Sequence, residues 1–239
     1  MSDHTTGEPA AQARRTHVLY LHGFGSGPTT EKGVDLGRRL ADSVASYGIP
    51  ALDGGDFPNL TMDGMLRRVD AAAASLPADG GPLVLVGSSL GGYLAALIAA
   101  QGMPRLAGAL LIAPAFGFTA DWQGKLGPAA VARWRSEGSL PFHHYAAGAE
   151  VPLKIGFLES CQHLPALPGQ AFRGDRPLPV AIVHGRQDAV VDHRQSVAYT
   201  TQRDGVELHL VEGDHRLTES RHGELIAWCA RDLICRSAG

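Results

Sequence analysis

The chain has 239 residues, 44% of them hydrophobic and 19% charged, which is enough apolar content to bury a core and excludes disorder over most of its length. Its 21 Lys and Arg against 24 Asp and Glu leave a formal charge of −3, with basic residues scattered as short pairs such as Arg14-Arg15 and Arg38-Arg39. That balance argues against nucleic acid and anionic membrane as partners and points to a small molecule.

Residues 1–15 are polar and aperiodic and read as a disordered leader without the apolar stretch of a signal peptide. No segment approaches the roughly 20 apolar residues that span a bilayer, so a cytoplasmic location is expected. His17 to Leu21 is a short strand running into a Gly-rich turn, His22 to Pro28. A helix is expected over 30–47 from the stripe Val34, Leu36, Leu40 and Val44, then a second strand at Ile49 to Leu52, and a helix from Thr61 to Leu76 that Pro77 ends. Leu83-Val84-Leu85-Val86 is apolar on both faces, and it passes through Gly87-Ser88-Ser89-Leu90-Gly91-Gly92 into a helix over 93–100. Leu106 to Ala113 is a second buried strand, stopped by Pro114. Residues 116–176 are rich in Gly and Pro with only fragmentary helical periodicity, and read as a small lid inserted at the carboxyl edge of the sheet. Order returns with a strand at Val180 to Val183, a helix over 193–203, a strand at Val206 to Val211 and a last helix to Ile234. Strands and helices alternate, so the fold class is α/β: one domain over 16–239 with a mostly parallel central sheet and helices on both faces.

Three cysteines, Cys161, Cys229 and Cys235, are too few for a disulfide framework, and no His lies near them at zinc-ligand spacing. The chemistry concentrates elsewhere. Gly87-x-Ser89-x-Gly91 joins a buried strand to a helix, where a sharp turn holds a serine in a strained conformation and the flanking glycines let strand and helix approach. A serine hydroxyl is a poor nucleophile near pH 7, so it needs a base, and the base needs an orienting carboxylate. Asp188, in the loop after one buried strand, and His215, in the loop after the next, supply both in the order Ser…Asp…His. His209 alternates with apolar neighbours and is expected to face solvent, His193 and His222 fall on helices, and His4, His143 and His144 lie in the leader and lid. Asp192 reads as a helix N-cap, and Asp214 is expected to point away from His215. The resemblance of the Gly-rich turn and of the serine turn to those of α/β hydrolases implies that the N–H of Phe24, after the first strand, and the N–H of Leu90, just after the serine, receive an oxyanion. His22 is expected to brace the Gly-rich turn, which lacks the Lys and Thr of a P-loop and does not fit G-x-G-x-x-G.

Together, Leu21-His22-Gly23-Phe24, Gly87 to Gly92, the apolar strand ending in Pro114, His184 to Asp188 and Asp214 to Leu217 resemble the α/β-hydrolase fold. More narrowly, Tyr20 to Ser26, Gly87 to Tyr93 and Asp188 to Asp192 leading to Tyr199 look like the small bacterial YqiA/YcfP-type esterases. The resemblance implies a serine hydrolase acting on esters or thioesters of small or short-to-medium acyl groups, without a cofactor. Serine at the nucleophile position fits neither a dehalogenase, with Asp there, nor a dienelactone hydrolase, with Cys. No metal-ligand cluster adjoins the motif. An acyltransferase with the same triad, a non-catalytic ligand-binding protein on this fold and, more weakly, a peptidase remain as alternatives.

The 116–176 stretch holds eight of the chain's fifteen aromatic residues. Phe116, Phe118, Trp122, Trp134 and Phe157 are candidates to roof an apolar substrate pocket, or to form a small core of the lid itself. Arg133, Arg135 and Lys154 read as solvated surface charge.

Overall fold

In the computed structural model, residues 15–237 are described; the expected leader, apart from Arg15, lies outside them. Strands β1 (His17–Leu21), β3 (Leu83–Ser88), β4 (Leu106–Ile112) and β9 (Val180–Gly185) are buried along their whole length. Successive side chains of a strand point to opposite faces, and here they divide two cores. Leu19, Leu85, Leu111 and Ile182 enter one core, while Val18, Tyr20, Val86, Leu110 and Val183 enter the other. With β2 (Ser46–Gly48) and β10 (Val206–Val211) at the edges, the order is β10-β9-β4-β3-β1-β2, and every neighbouring pair is parallel. A parallel sheet needs cover on both sides. The helices α1 (Glu31–Leu40) and α7 (Ser220–Ser237) supply it on one face. On the other lie α2 (Met62–Ala74), α3 (Leu90–Gln101) and Tyr199 of α6 (Arg194–Thr201). No helix among the described residues is long and apolar enough to cross a membrane.

Two boundaries differ from expectation near the N-terminal half of the sheet. The first helix stops at Leu40 rather than 47, and the second strand is Ser46–Gly48 rather than 49–52. Tyr47 decides this. Its backbone pairs beside Val18, its ring lies over Gly37, and its hydroxyl donates to Gly33 O at 2.6 Å. Those contacts are long-range, and the helical stripe cannot report them. At the centre, α3 opens directly after Ser89, earlier than expected, because Gly91 and Gly92 already follow the helical path despite their low propensity.

The stretch between β4 and β9 is more regular than its Gly and Pro content suggests. It forms α4 (Phe118–Glu137), an antiparallel hairpin of β5 (Ser139–His144) and β6 (Ala149–Lys154), α5 (Gly156–Cys161), and a short hairpin of β7 (Phe172–Arg173) and β8 (Arg176–Pro177). Gly127, at φ 77° and ψ 159°, breaks α4 into two helices. Pro128 then opens the second one, at a position where its missing N–H has no partner to lose. That break scattered the periodicity. Trp134 anchors the second half: its side chain is fully buried and its Nε1–H donates to Leu153 O at 2.8 Å, tying α4 to β6.

Candidate active site

Parallel strands deliver their C-terminal loops to one edge, and β3, β9 and β10 bring three expected residues together there. Ser89 stands between β3 and α3 at φ 55° and ψ −119°. That conformation costs a non-glycine residue about 1–3 kcal/mol. It is held by the Ser89 N–H donating to Ile112 O at 2.9 Å and by the N–H of Ala115 and Tyr93 donating to Ser89 O at 3.0 and 3.1 Å. The close approach demands the two motif glycines. A Cβ on Gly87 would lie 2.1 Å from Gly91 O, and one on Gly91 would lie 2.0 Å from Leu21 O.

Ser89 Oγ is 3.0 Å from His215 Nε2, and His215 Nδ1 is 2.7 Å from Asp188 Oδ2. The carboxylate accepts at Nδ1, so that nitrogen carries the proton and Nε2 turns its lone pair to the serine. Asp188 Oδ1 accepts the N–H of Val190 and of Val191, both at 2.8 Å, and its side chain is wholly buried. Burial pushes its carboxyl up, yet the hydrogen bonds from His184, His215 and Val191 outweigh this and hold it well below the usual carboxylate range. The loops carrying Asp188 and His215 are stitched together. Gly213 N–H donates to Gln187 Oε1 at 2.6 Å, and Gln187 N–H donates to Gly213 O at 3.0 Å. Asp214 accepts the N–H of Arg216 and Leu217 and so shapes the turn rather than touching His215, as expected. Asp192, expected as a helix N-cap, stands one residue before the N-cap His193 of α6 and accepts from Arg194 N–H at 2.9 Å.

The other expected residues divide. Leu90 N–H begins α3 and Phe24 N–H lies in the turn after β1; neither has an acceptor among the described residues. Gly23 brings that turn against the serine, since a Cβ there would sit 3.4 Å from Ser89 Cβ. His22 braces it: its Nε2 accepts Leu52 N–H at 3.2 Å, so Nδ1 donates to Gly23 O at 3.0 Å. A cavity of about 1030 Å³ opens over Ser89 and His215, with Phe24, Phe116, Phe118 and Trp122 in its wall. Trp134 and Phe157 do not line it. They are fully buried behind the wall, where Trp134 meets Trp122 at 5.6 Å and Phe157 meets Phe24 at 5.5 Å between ring centroids. His209 does not face solvent as expected: its ring packs 5.9 Å from Trp228 of α7, and its Nε2 is buried without a hydrogen-bond partner.

Two residues of the site went unnoticed in the sequence. His184, at the end of β9, is fully buried and places Nε2 3.1 Å from the same Asp188 Oδ2 that His215 uses. Val191 O is also 3.2 Å from that nitrogen, so Nε2 carries a proton, while Nδ1 meets Ser196 Oγ at 2.7 Å. Lys32, in the first turn of α1, lines the cavity and donates to Ser88 Oγ at 3.3 Å. The first residue sits in the quoted motif His184 to Asp188 but only folding brings its ring to the carboxylate. The second has no local signal. No group of three His, Cys, Asp or Glu among the described residues is arranged to hold a metal ion.

The model of the uncharacterised protein family UPF0227 matches residues 17–226, which takes in every element of the sheet. The chain belongs to that family. It is the YqiA/YcfP-type group that the motifs resemble, with the α/β-hydrolase fold. No curated protein is significantly similar in sequence. Among solved structures, a protein of Agrobacterium vitis S4 provisionally called a hydrolase is similar with a TM-score of 0.77 at 25% identity, over 95% of this chain and 90% of that one. Alpha/beta hydrolase domain-containing protein 10 from mouse gives 0.71 at 21% identity, over 91% and 89%. Est1E from Butyrivibrio proteoclasticus gives 0.65 at 20% identity, over 94% and 89%. These likenesses show that this UPF0227 member has the α/β-hydrolase fold.

Proposed function

We propose that this UPF0227 member is a serine hydrolase cleaving carboxylic esters or thioesters of small or short-to-medium acyl groups. The observation that carries the reading is the relay from Ser89 through His215 to Asp188, at 3.0 and 2.7 Å, at the base of an open cavity. The hydrolases and esterases among its fold neighbours support it. In this reading Ser89 Oγ attacks the acyl carbon while His215 Nε2 takes its proton, and Asp188 steadies the imidazolium. The N–H groups of Leu90 and Phe24 receive the tetrahedral oxyanion, with the N-terminus of α3 favouring the negative charge. Collapse breaks the bond to the leaving alcohol or thiol, which departs with the proton from His215. Water then attacks the acyl-enzyme by the same steps reversed and releases the acid.

The residues 116–176 serve as the lid of one hydrolase domain, with Phe118 and Trp122 set against the acyl group. Unpaired Cys161, Cys229 and Cys235 suit a reducing compartment such as the cytoplasm. The test is labelling by a fluorophosphonate probe and hydrolysis of p-nitrophenyl esters of increasing chain length, wild type beside Ser89→Ala. Labelling and turnover that vanish together in the variant support the reading. A variant that hydrolyses esters at the wild-type rate overturns it.

A further inference from the structure

Lys32 is placed against ordinary electrostatics. It occupies the first turn of α1, where the helix dipole disfavours a cation. Its ammonium is drawn off the surface into the wall of the cavity that contains Ser89 and His215. Among the described residues its hydrogen bond is to a neutral atom, Ser88 Oγ at 3.3 Å, in the residue directly before the nucleophile. The other cations of the lining are engaged or solvated. Lys125 donates to Val190 O and is exposed, and Arg216 is exposed. The nearby acids are occupied too: Asp188 is filled by His184, His215 and two N–H groups, and Asp214 by two N–H groups. A half-buried ammonium without a dedicated counter-ion, facing a reaction cavity, is a binding element waiting for an anion.

We propose that Lys32 is a specificity residue and that the preferred substrates are esters carrying an anionic group, a carboxylate or phosphate, which its ammonium binds beside the scissile carbonyl. This rests on the hydrolase reading above and names its substrate class. Aromatic side chains from the β1 turn and α4 receive the apolar part of such a molecule, while Lys32 and Ser88 offer donors for its charge. Burial, with a smaller push from Arg216, lowers the Lys32 ammonium to about 8 against the opposing pull of Asp214 and Asp188. The other titratable groups of the cavity wall are Tyr20 of β1, whose hydroxyl burial keeps protonated, Glu31 on the same helix, Asp121 of α4, Tyr145 and His215 itself. The preference in kcat/KM therefore fades as pH rises through about 8.

The experiment compares two matched pairs of substrates in wild type, Lys32→Met and Lys32→Arg. One pair is p-nitrophenyl hexanoate and mono-p-nitrophenyl adipate, with the charge on the acyl side. The other is methyl 4-acetoxybenzoate and 4-acetoxybenzoate, with the charge on the leaving group. The readout is the ratio of kcat/KM for the anionic over the neutral member, which a general loss of activity leaves in place. Lys32→Met is expected to lower that ratio about 10- to 100-fold in one pair, and Lys32→Arg to retain most of it. The pair that responds shows which side of the ester bears the charge. Ratios unchanged by Lys32→Met in both pairs overturn the proposal while leaving the hydrolase reading in place, because the neutral esters are still cleaved. A folded wild type that takes no fluorophosphonate label and cleaves none of the four esters removes both.

Discussion

The carboxyl edge of the sheet and the segment between β4 and β9 build the same cavity by different means. At the edge, three short loops leave the parallel strands β3, β9 and β10, and Ser89, Asp188 and His215 each lie within a few residues of a strand end. Its geometry is inherited from the sheet. In the inserted segment, Phe118 and Trp122 on α4 face the cavity only because Trp134, Phe142 and Phe157 pack behind them. Its geometry is inherited from an aromatic cluster. Chemistry and cavity shape are therefore expected to be separable: changes at the edge stop turnover in a folded protein, and changes in the cluster loosen the wall.

The largest expected effect is at the edge. Ser89→Ala and His215→Ala each lower kcat on the order of 10⁴-fold or more while thermal unfolding stays close to wild type; Asp188→Asn lowers kcat equally or somewhat less and also loses the stability its carboxylate contributes near neutral pH. A melting temperature that collapses in all three variants would merge the two regions into one. Gly87→Ala tests the backbone of the same edge. Its Cβ would meet Gly91 O at 2.1 Å, so a loss of about 3 kcal/mol or more in unfolding free energy is expected, measured by denaturant titration. In the inserted segment, Trp134→Ala empties a fully buried site and is expected to cost about 3–5 kcal/mol, again by denaturant titration, with ester turnover falling less than in any triad variant. Phe118→Ala changes the partly buried face of the same cluster, and there the expected readout is a shift toward longer acyl chains with little change in stability.

His184 belongs to the edge as well. It touches Asp188 rather than the serine, so His184→Asn is expected to lower kcat about 10- to 100-fold by misplacing the relay, with KM little changed. The smallest effect concerns pH. The Asp188 carboxyl is held below its unfolded value, so its contribution to stability is present above about pH 4 and is lost as pH falls toward the folded value. Melting curves of wild type and Asp188→Asn should therefore converge in acid. Parallel curves down to pH 3 would mean that the carboxylate is not stabilised by its partners.

Much of this was open to a reader of the sequence, for a physical reason. A strand buried on both faces shows as an unbroken apolar run, and the loop that leaves it is short, so Ser89, Asp188 and His215 could be placed at one edge from order alone. The two proposed oxyanion donors, the N–H groups of Phe24 and Leu90, could be named because they adjoin the first strand and Ser89. Where a residue's position depended on distant parts of the chain, local pattern failed. Tyr47 drew the second strand forward by packing on α1. Gly127 cut α4 in two and hid a long helix. His209 was taken out of solvent by a tryptophan nineteen positions along the chain. Trp134 and Phe157 look like Phe118 and Trp122 as sequence, and only packing sends one pair behind the wall and the other into it. The same holds for Lys32, whose meaning comes from Ser88, 56 residues away. The central strands, the edge they end on and the chain order of Ser89, Asp188 and His215 were legible because they repeat a periodic or adjacent pattern. The tertiary structure decided which side chains wall the cavity and where its charge lies, because those depend on contacts that no local window contains.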